Sequence, residues 1–296
     1  MKMTHAVRVD DMTKQGTASI KEVPNMLTFD VEEWTSMRLM RSGHSDANAL
    51  RDTQSGLRTA LDLLDKYGVK ATFFIVGKTA ELSPELIREI PSKHEIASHG
   101  FVHKSLRQQT LSELRKDVEK SVQTIDKFCR RKPIGYRAPY SSLSLRSKQL
   151  LQILRDLNFK YDSSLLAVQF PQSYLRKPLL RPYRISLDDP LVEDEKSPLI
   201  EYPLSYMQLL GIRVPTCGGF FTRLFGYSMM AKTISRFNKS GWPAMVYFHP
   251  WELAAKPMVT GVRGLTTLRI PCTGILKKLL AQFNFTSIET TLWDMA

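Results

Sequence analysis

Met26-Leu27-Thr28-Phe29-Asp30-Val31-Glu32-Glu33 is a short apolar run that ends in a cluster of carboxylates. Its length and its Phe and Val content make it a buried strand, Met26 to Val31, with acid at its C-terminal end. Working outward, Leu57, Leu61 and Leu64 share one helical face, and Gly68 falls where a helix C-cap belongs. Ala71-Thr72-Phe73-Phe74-Ile75-Val76 is a second compact strand, stopped by Gly77. Pro84 then opens a helix through Ile90, a position that suits its fixed φ.

The alternation continues. Glu95 to Ser98 reads as a strand leading into His99, and Leu111, Leu114, Val118, Val122, Ile125 and Cys129 form one helical stripe. Ile134 to Tyr136 is strand-like and runs into Arg137-Ala138-Pro139-Tyr140. A helix over Leu145 to Leu157, a strand over Phe159 to Tyr161, a buried strand over Ala244 to Phe248, a helix over Ile275 to Phe283 and a last strand over Asn284 to Ile288 complete the pattern. Residues 163–215 are richer in proline and carry no clear assignment. Repeated β-then-α order predicts an α/β fold with a mainly parallel sheet, closed or partly closed as a barrel. Asp30, His99, Arg137, Asp162 and His249 each fall at the C-terminal end of a strand segment, the edge where α/β proteins assemble active sites.

Composition narrows the function classes. No run of about 18 apolar residues occurs, so no membrane-spanning helix is expected. Met1 to Glu22 lacks the apolar segment of a secretory signal, which predicts a short N-terminal arm over residues 1–24 and a cytoplasmic protein. Cys129, Cys217 and Cys272 are odd in number and widely spaced, which fits reduced, structural thiols. The formal net charge of +13 asks for an anionic partner or serves solubility. Arg130-Arg131-Lys132 sits at a predicted helix C-terminus, where cations complement the dipole, and no zinc-finger or RNA-binding signature appears. Nucleic acid is therefore not an expected partner. Ile212 to Lys232 interleaves Arg213, Arg223 and Lys232 with Phe220, Phe221, Leu224, Phe225 and Tyr227. That mixture suits either packing over the barrel or peripheral contact with an anionic membrane, and hence a place beside the inner membrane.

His99-Gly100-Phe101-Val102-His103 gives two imidazoles a spacing that serves one metal ion on a helix or in a turn. Strand alternation points Asp30 and Glu32 the same way, so one carboxylate can bind metal while the other takes a proton. His5, His44 and His94 match no pattern and read as surface or loop residues. Trp251 and Glu252, next to His249, are expected either to line a sugar site or to pack at its rim, and Trp34 is read in the same way.

Thr28-Phe29-Asp30-Val31-Glu32, Ser98-His99-x-x-x-His103, Arg137-Ala138-Pro139-Tyr140, Asp162-Ser163 and Tyr247-Phe248-His249, in that order, resemble the five motifs of the polysaccharide deacetylases, the carbohydrate esterase family 4 or NodB-homology group. The resemblance runs from about Asn25 to Glu252, and Gly218-Gly219-Phe220-Phe221 with His249-Pro250-Trp251-Glu252-Leu253 resembles the members tied to exopolysaccharide synthesis. It implies a distorted (β/α) barrel of fewer than eight strands, filling residues 25–296 with a variable insertion at about 163–240. It implies one divalent ion, zinc or else cobalt or nickel, on Glu32, His99 and His103. Asp30 then maps to the general base and His249 to the general acid. Arg137 maps to the residue that orients the base, Asp162 to the partner of the acid histidine, and the backbone N–H of Tyr140 to an oxyanion donor. Many members carry two adjacent Asp residues where this chain has Asp-x-Glu; Glu33 is then an alternative ligand, and the shared direction of Asp30 and Glu32 favours Glu32. The implied activity is removal of N-acetyl groups from an amino-sugar polysaccharide or glycan intermediate. The rival reading is a related amidohydrolase acting on a formamide or cyclic imide.

Overall fold

The computed structural model describes residues 23–36, 46–143, 147–166, 179–209, 212–255 and 270–292. Its strands are β1 (Asn25–Val31), β2 (Thr72–Ile75), β3 (Glu95–Ser98), β4 (Gly135–Tyr136), β5 (Tyr161–Asp162), β6 (Tyr183–Arg184), β7 (Ile200–Glu201), β8 (Tyr206–Leu209), β9 (Ile212–Pro215), β10 (Met245–Phe248) and β11 (Phe285–Thr286). Its helices are α1 (Asp46–Tyr67), α2 (Gly77–Leu82), α3 (Pro84–Arg88), α4 (Leu111–Cys129), α5 (Lys148–Asp156), α6 (Gly219–Lys239), α7 (Thr273–Gln282) and α8 (Ile288–Leu292).

One sheet runs in the order β10-β1-β2-β3-β4-β5-β7-β6, with β11 pairing beside β1. Every pairing in it is parallel except that of β6 with β7. The path thus holds seven parallel strands and one antiparallel edge strand, and among the described residues no pairing joins its ends. This is the mainly parallel sheet expected from the alternation, curled into the incomplete, distorted barrel that the resemblance implied; eight strands lie on its path, where fewer than eight were expected.

All seven residues of β1 are buried, because this strand lies between β10 and β2 with helices behind it. Alternation divides them. Leu27, Phe29 and Val31 pack outward with Leu57, Leu64, Phe73 and Ile75, whereas Met26 joins Phe74, Ala97, Tyr161 and Met245 inside the curl. Thr28 and Asp30, at the same parity as Met26, therefore face the interior, where Arg137 reaches both. Each outward Leu or Phe stabilises the layer by about 1.5–3 kcal/mol on burial.

The helix stripe around Leu111 to Cys129 is α4, opened by a reciprocal capping box between Thr110 and Glu113 and closed by Arg130 in the left-handed conformation. α1 extends well beyond the Leu57–Leu64 stripe and packs on the turn Pro250–Leu253 that follows β10. Gly56 is what lets it approach: a Cβ there would stand 1.7 Å from the Pro250 carbonyl oxygen.

Several local expectations change. Gly77 begins α2 rather than merely stopping a strand, and the predicted last strand shortens to β11 before α8 takes over. The range 163–240, expected as an insertion, supplies β6 and β7 to the main sheet and then the β8–β9 hairpin and α6. Residues 1–22 of the expected arm, with His5, and also His44 lie outside the described residues. His94 is not a surface residue: it is 2% exposed, edge-on to Phe73, and accepts from the Ala71 N–H at 3.3 Å. Burial pushes the thiols of Cys217 and Cys272 up to about 12, so neither is poised as a nucleophile. Of the basic and aromatic run in α6, Tyr227 packs against the core, and the Arg223 side chain is 2% exposed and engaged internally; Leu224 faces out at 56%. Among the described residues no helix is long and apolar enough to cross a membrane.

Candidate active site

Of the six neighbouring parallel strands β10-β1-β2-β3-β4-β5, all but β2 carry the polar residues to one edge. Asp30 closes β1 one residue before its end, Asp162 ends β5, and His99, Arg137 and His249 directly follow β3, β4 and β10.

Glu32, His99 and His103 converge so that one ligand atom from each lies within 4.8 Å of the others. Glu33, the alternative to Glu32, is not in this cluster; its carboxylate accepts from Thr35 at 3.5 Å. The two histidines sit on a turn rather than a helix. Gly100 (φ 72°) and His103 (φ 53°) adopt left-handed backbone, which brings the rings to 5.1 Å between centroids. Asp117 of α4 fixes this turn by accepting from the N–H groups of Phe101 (2.8 Å) and Val102 (3.0 Å).

The donor set fits a divalent cation. Nδ1 of His99 lies 2.8 Å from the Arg137 carbonyl, a contact that keeps the proton on Nδ1 and leaves Nε2 as the ligand atom. Burial holds His99 down at about 4, so its imidazole is neutral, the form that ligates. Burial alone would raise Glu32, but His103, His249 and His99 hold it at about 2, fully ionised. Oε2 of Glu32 and Nε2 of His103 meet directly, two ligand-type atoms drawn to one buried point beside His99. A carboxylate oxygen and two imidazole nitrogens converging in a buried place are what an ion would satisfy.

On one side of the cluster stands Asp30. Its Oδ1 accepts from Arg137 Nη1 at 2.7 Å, and the same nitrogen donates to Thr28 at 2.9 Å. Arg137 is wholly buried, is held further by Ser163 at 3.1 and 2.9 Å, and stacks 4.0 Å above the Phe74 ring. Its fork is thus held from several sides where it meets Asp30.

On the other side stands His249, with Nε2 3.3 Å from Glu32 Oε1 and Nδ1 3.1 Å from Glu252 Oε2. Burial would lower this imidazole, but Glu252 first, then Glu32 and Asp30, raise it to about 9, so it carries a proton at neutral pH. Tyr140 has left-handed backbone (φ 60°), meets the His103 ring edge-on at 4.7 Å and donates its hydroxyl to Ser36 O at 2.6 Å.

Asp162 is the correction. The family resemblance places it beside His249, but its Oδ1 accepts from Ser164 at 2.5 Å and it shares a buried site with Glu201, the residue paired with it across β5 and β7. Two carboxylates cannot both ionise there; burial raises Asp162 to about 6 and Glu201 well above the usual range. Glu252 takes the place at the imidazole. Its position next to His249 suggests a sugar-lining residue, yet it is fully buried. Trp251 is 1% exposed and stacks on His249 (5.4 Å, 18°), and Trp34 is buried as well, so neither offers an open face to a sugar. A signal for Glu252 was present: His249-Pro250-Trp251-Glu252 has the form of a capping box, with Pro at the first helical position and Glu at the third.

The polysaccharide deacetylase family model matches residues 24–161, and a domain of unknown function (DUF3473) matches residues 185–293. A peptidoglycan deacetylase of Helicobacter pylori is 33% identical over 122 residues, 41% of each chain. The chain spans about two fifths of the length of such curated relatives. A Mycobacterium smegmatis structure described as a polysaccharide deacetylase superposes with a TM-score of 0.64 at 20% identity, covering 95% of this chain and 92% of that one. PuuE allantoinase does so with 0.62 at 13%, covering 93% and 90%. At these identities the two structures speak for the fold alone.

Proposed function

We propose that this chain, whose residues 24–161 match the polysaccharide deacetylase family model, hydrolyses N-acetyl groups on an amino-sugar glycan, using a divalent ion held by Glu32, His99 and His103. The observation that carries the reading is one strand edge bearing a Glu/His/His cluster flanked by an arginine-held carboxylate and a protonated imidazole. When bound, the ion supplies Lewis acidity toward water and the acetyl carbonyl. Asp30, aimed by Arg137, takes a proton from the attacking water. His249 delivers its Nε2 proton to the departing amine as the C–N bond breaks, and the N–H of Tyr140 donates to the carbonyl oxygen as it gains charge. A carboxylate and two imidazoles suit zinc, with cobalt or nickel as alternatives.

The glycan is proposed to be a poly-N-acetylhexosamine or a lipid-linked saccharide of the kind used in exopolysaccharide synthesis. The Helicobacter pylori relative, named for peptidoglycan, adds cell-wall glycan to that class. We further propose that residues 25–296 act as one catalytic domain in the cytoplasm, at the inner membrane surface. The +13 charge and the exposed Leu224 support that location.

Acetate release from N-acetylhexosamine oligomers and peptidoglycan fragments, beside a cyclic imide and a formamide, tests the reaction. The expected result is acetate from a saccharide, abolished by chelator and restored by zinc. Asp30→Asn and His249→Ala should keep the metal and lose turnover by roughly 10²–10⁴-fold. Hydrolysis of the imide or formamide with no saccharide turnover would move the chain to the rival amidohydrolase reading.

A further inference from the structure

His249 is held on three sides. Trp251 stacks on its face at 5.4 Å, Tyr247 meets it edge-on at 5.7 Å, and Glu252 Oε2 lies 3.1 Å from Nδ1. The same Oε2 accepts from the His249 backbone N–H at 2.8 Å, so one carboxylate oxygen fixes both the ring and the main chain that carries it. The other oxygen of Glu252 accepts from Arg223 of α6, whose Nε donates to the Ile270 carbonyl at 3.0 Å and whose guanidinium lies 5.2 Å from the Trp251 ring. The Glu252 carbonyl accepts from the Cys272 N–H at 2.8 Å. Glu252 is fully buried and the Arg223 side chain is 2% exposed, so the pair is sealed from water. Breaking such a pair strands a buried charge, which gives it one geometry.

We propose that Glu252 is the positioning residue for the acid histidine, holding the His249 proton on Nδ1 and its Nε2 toward Glu32, and that Arg223 holds Glu252 in place. Asp162 is excluded from this role by its pairing with Ser164 and Glu201. Arg223, Ile270 and Cys272 all lie within residues 185–293, the stretch matched only as a domain of unknown function. That stretch thereby acquires a role in the site. Its α6 and the start of its α7 close the acid side, whereas the metal cluster and the base come from residues 24–161.

The inference rests on the reaction proposed above, so its test has a readout independent of turnover. In ¹⁵N-correlated NMR of the metal-loaded wild-type protein at neutral pH, His249 should show a slowly exchanging Nδ1–H, assigned by its loss in His249→Ala. Glu252→Gln should weaken or remove that signal. It should also lower kcat by roughly 10²–10⁴-fold with KM and metal content within about threefold of wild type, the behaviour of a mis-set tautomer. Glu252→Asp should restore part of kcat, and Arg223→Met should lower kcat with the metal still bound. A wild-type His249 without a proton on Nδ1, or Glu252→Gln with kcat close to that of wild type, overturns the assignment. Should the wild type release no acetate from any glycan, the reaction reading fails, and the NMR signal alone still decides for or against Glu252.

Discussion

Asp117→Asn probes the least conspicuous support of the metal cluster. The Asp117 carboxylate accepts from Phe101 N–H at 2.8 Å and Val102 N–H at 3.0 Å, inside the turn that separates the two histidine ligands. Hydrogen bonds to a charged group contribute about 1.5–3 kcal/mol each. Asparagine keeps one acceptor and turns its NH₂ toward the second N–H, so it loses one bond outright and the charge assistance of the other. The turn must also hold His103 at φ 53°, which a non-glycine residue adopts only when the surroundings impose it. The summed loss is about 2–4 kcal/mol of folding free energy. Because the turn sets where His99 and His103 stand, metal affinity should fall about 10–100-fold, the usual effect of removing support from behind the ligands. Urea unfolding and zinc titration against a competing chelator measure the two quantities. A variant with wild-type stability and wild-type affinity would refute the view that α4 organises the cluster.

Three other outcomes follow from the structure. Gly56→Ala, whose Cβ would overlap the Pro250 carbonyl, should cost about 3 kcal/mol in urea unfolding and lower kcat with metal retained, since Pro250 adjoins His249. Burial first, then Lys93 and Arg131, holds His94 at about 4, below its value in the unfolded chain. The unfolded state therefore binds the proton first, and stability present above pH ~6.5 is lost as pH falls toward 4; His94→Gln should remove about 2 kcal/mol of the difference between pH 7 and pH 5. Sedimentation with vesicles should show binding to anionic but not neutral lipid, reversed by high salt; no binding in any condition would leave the net charge to solubility.

The parts of this site legible in the sequence are those governed by strand periodicity and motif order. Alternation alone put Asp30 on the interior face of β1, with Glu32 one residue past the strand's end, and the strand ends located His99, Arg137 and His249. What escaped depends on contacts that periodicity does not encode. Asp162 ends the right strand, but its neighbour across the sheet is Glu201, from a region whose short strands carry too few residues to show a pattern. Glu252 contacts His249 through a single turn of chain, a relation carried by capping chemistry rather than by a hydrophobic period. Asp117 lies beside Val118 on the buried stripe of α4, and an acid on an apolar face was its only signature. His94 is hidden partly by Arg131, which crosses from the end of α4 to the carbonyl of His94 at 2.8 Å.

Metal content measured alongside acetate release tests the central claim most directly. Elemental analysis of the purified wild type, the His99→Ala/His103→Ala double variant and Asp30→Asn should be paired with turnover on one N-acetylated oligosaccharide. The account predicts one divalent ion per chain in the wild type and in Asp30→Asn, none in the double variant, and acetate from the wild type alone. Full metal occupancy in the double variant, or undiminished acetate release after the ion is lost, would contradict it.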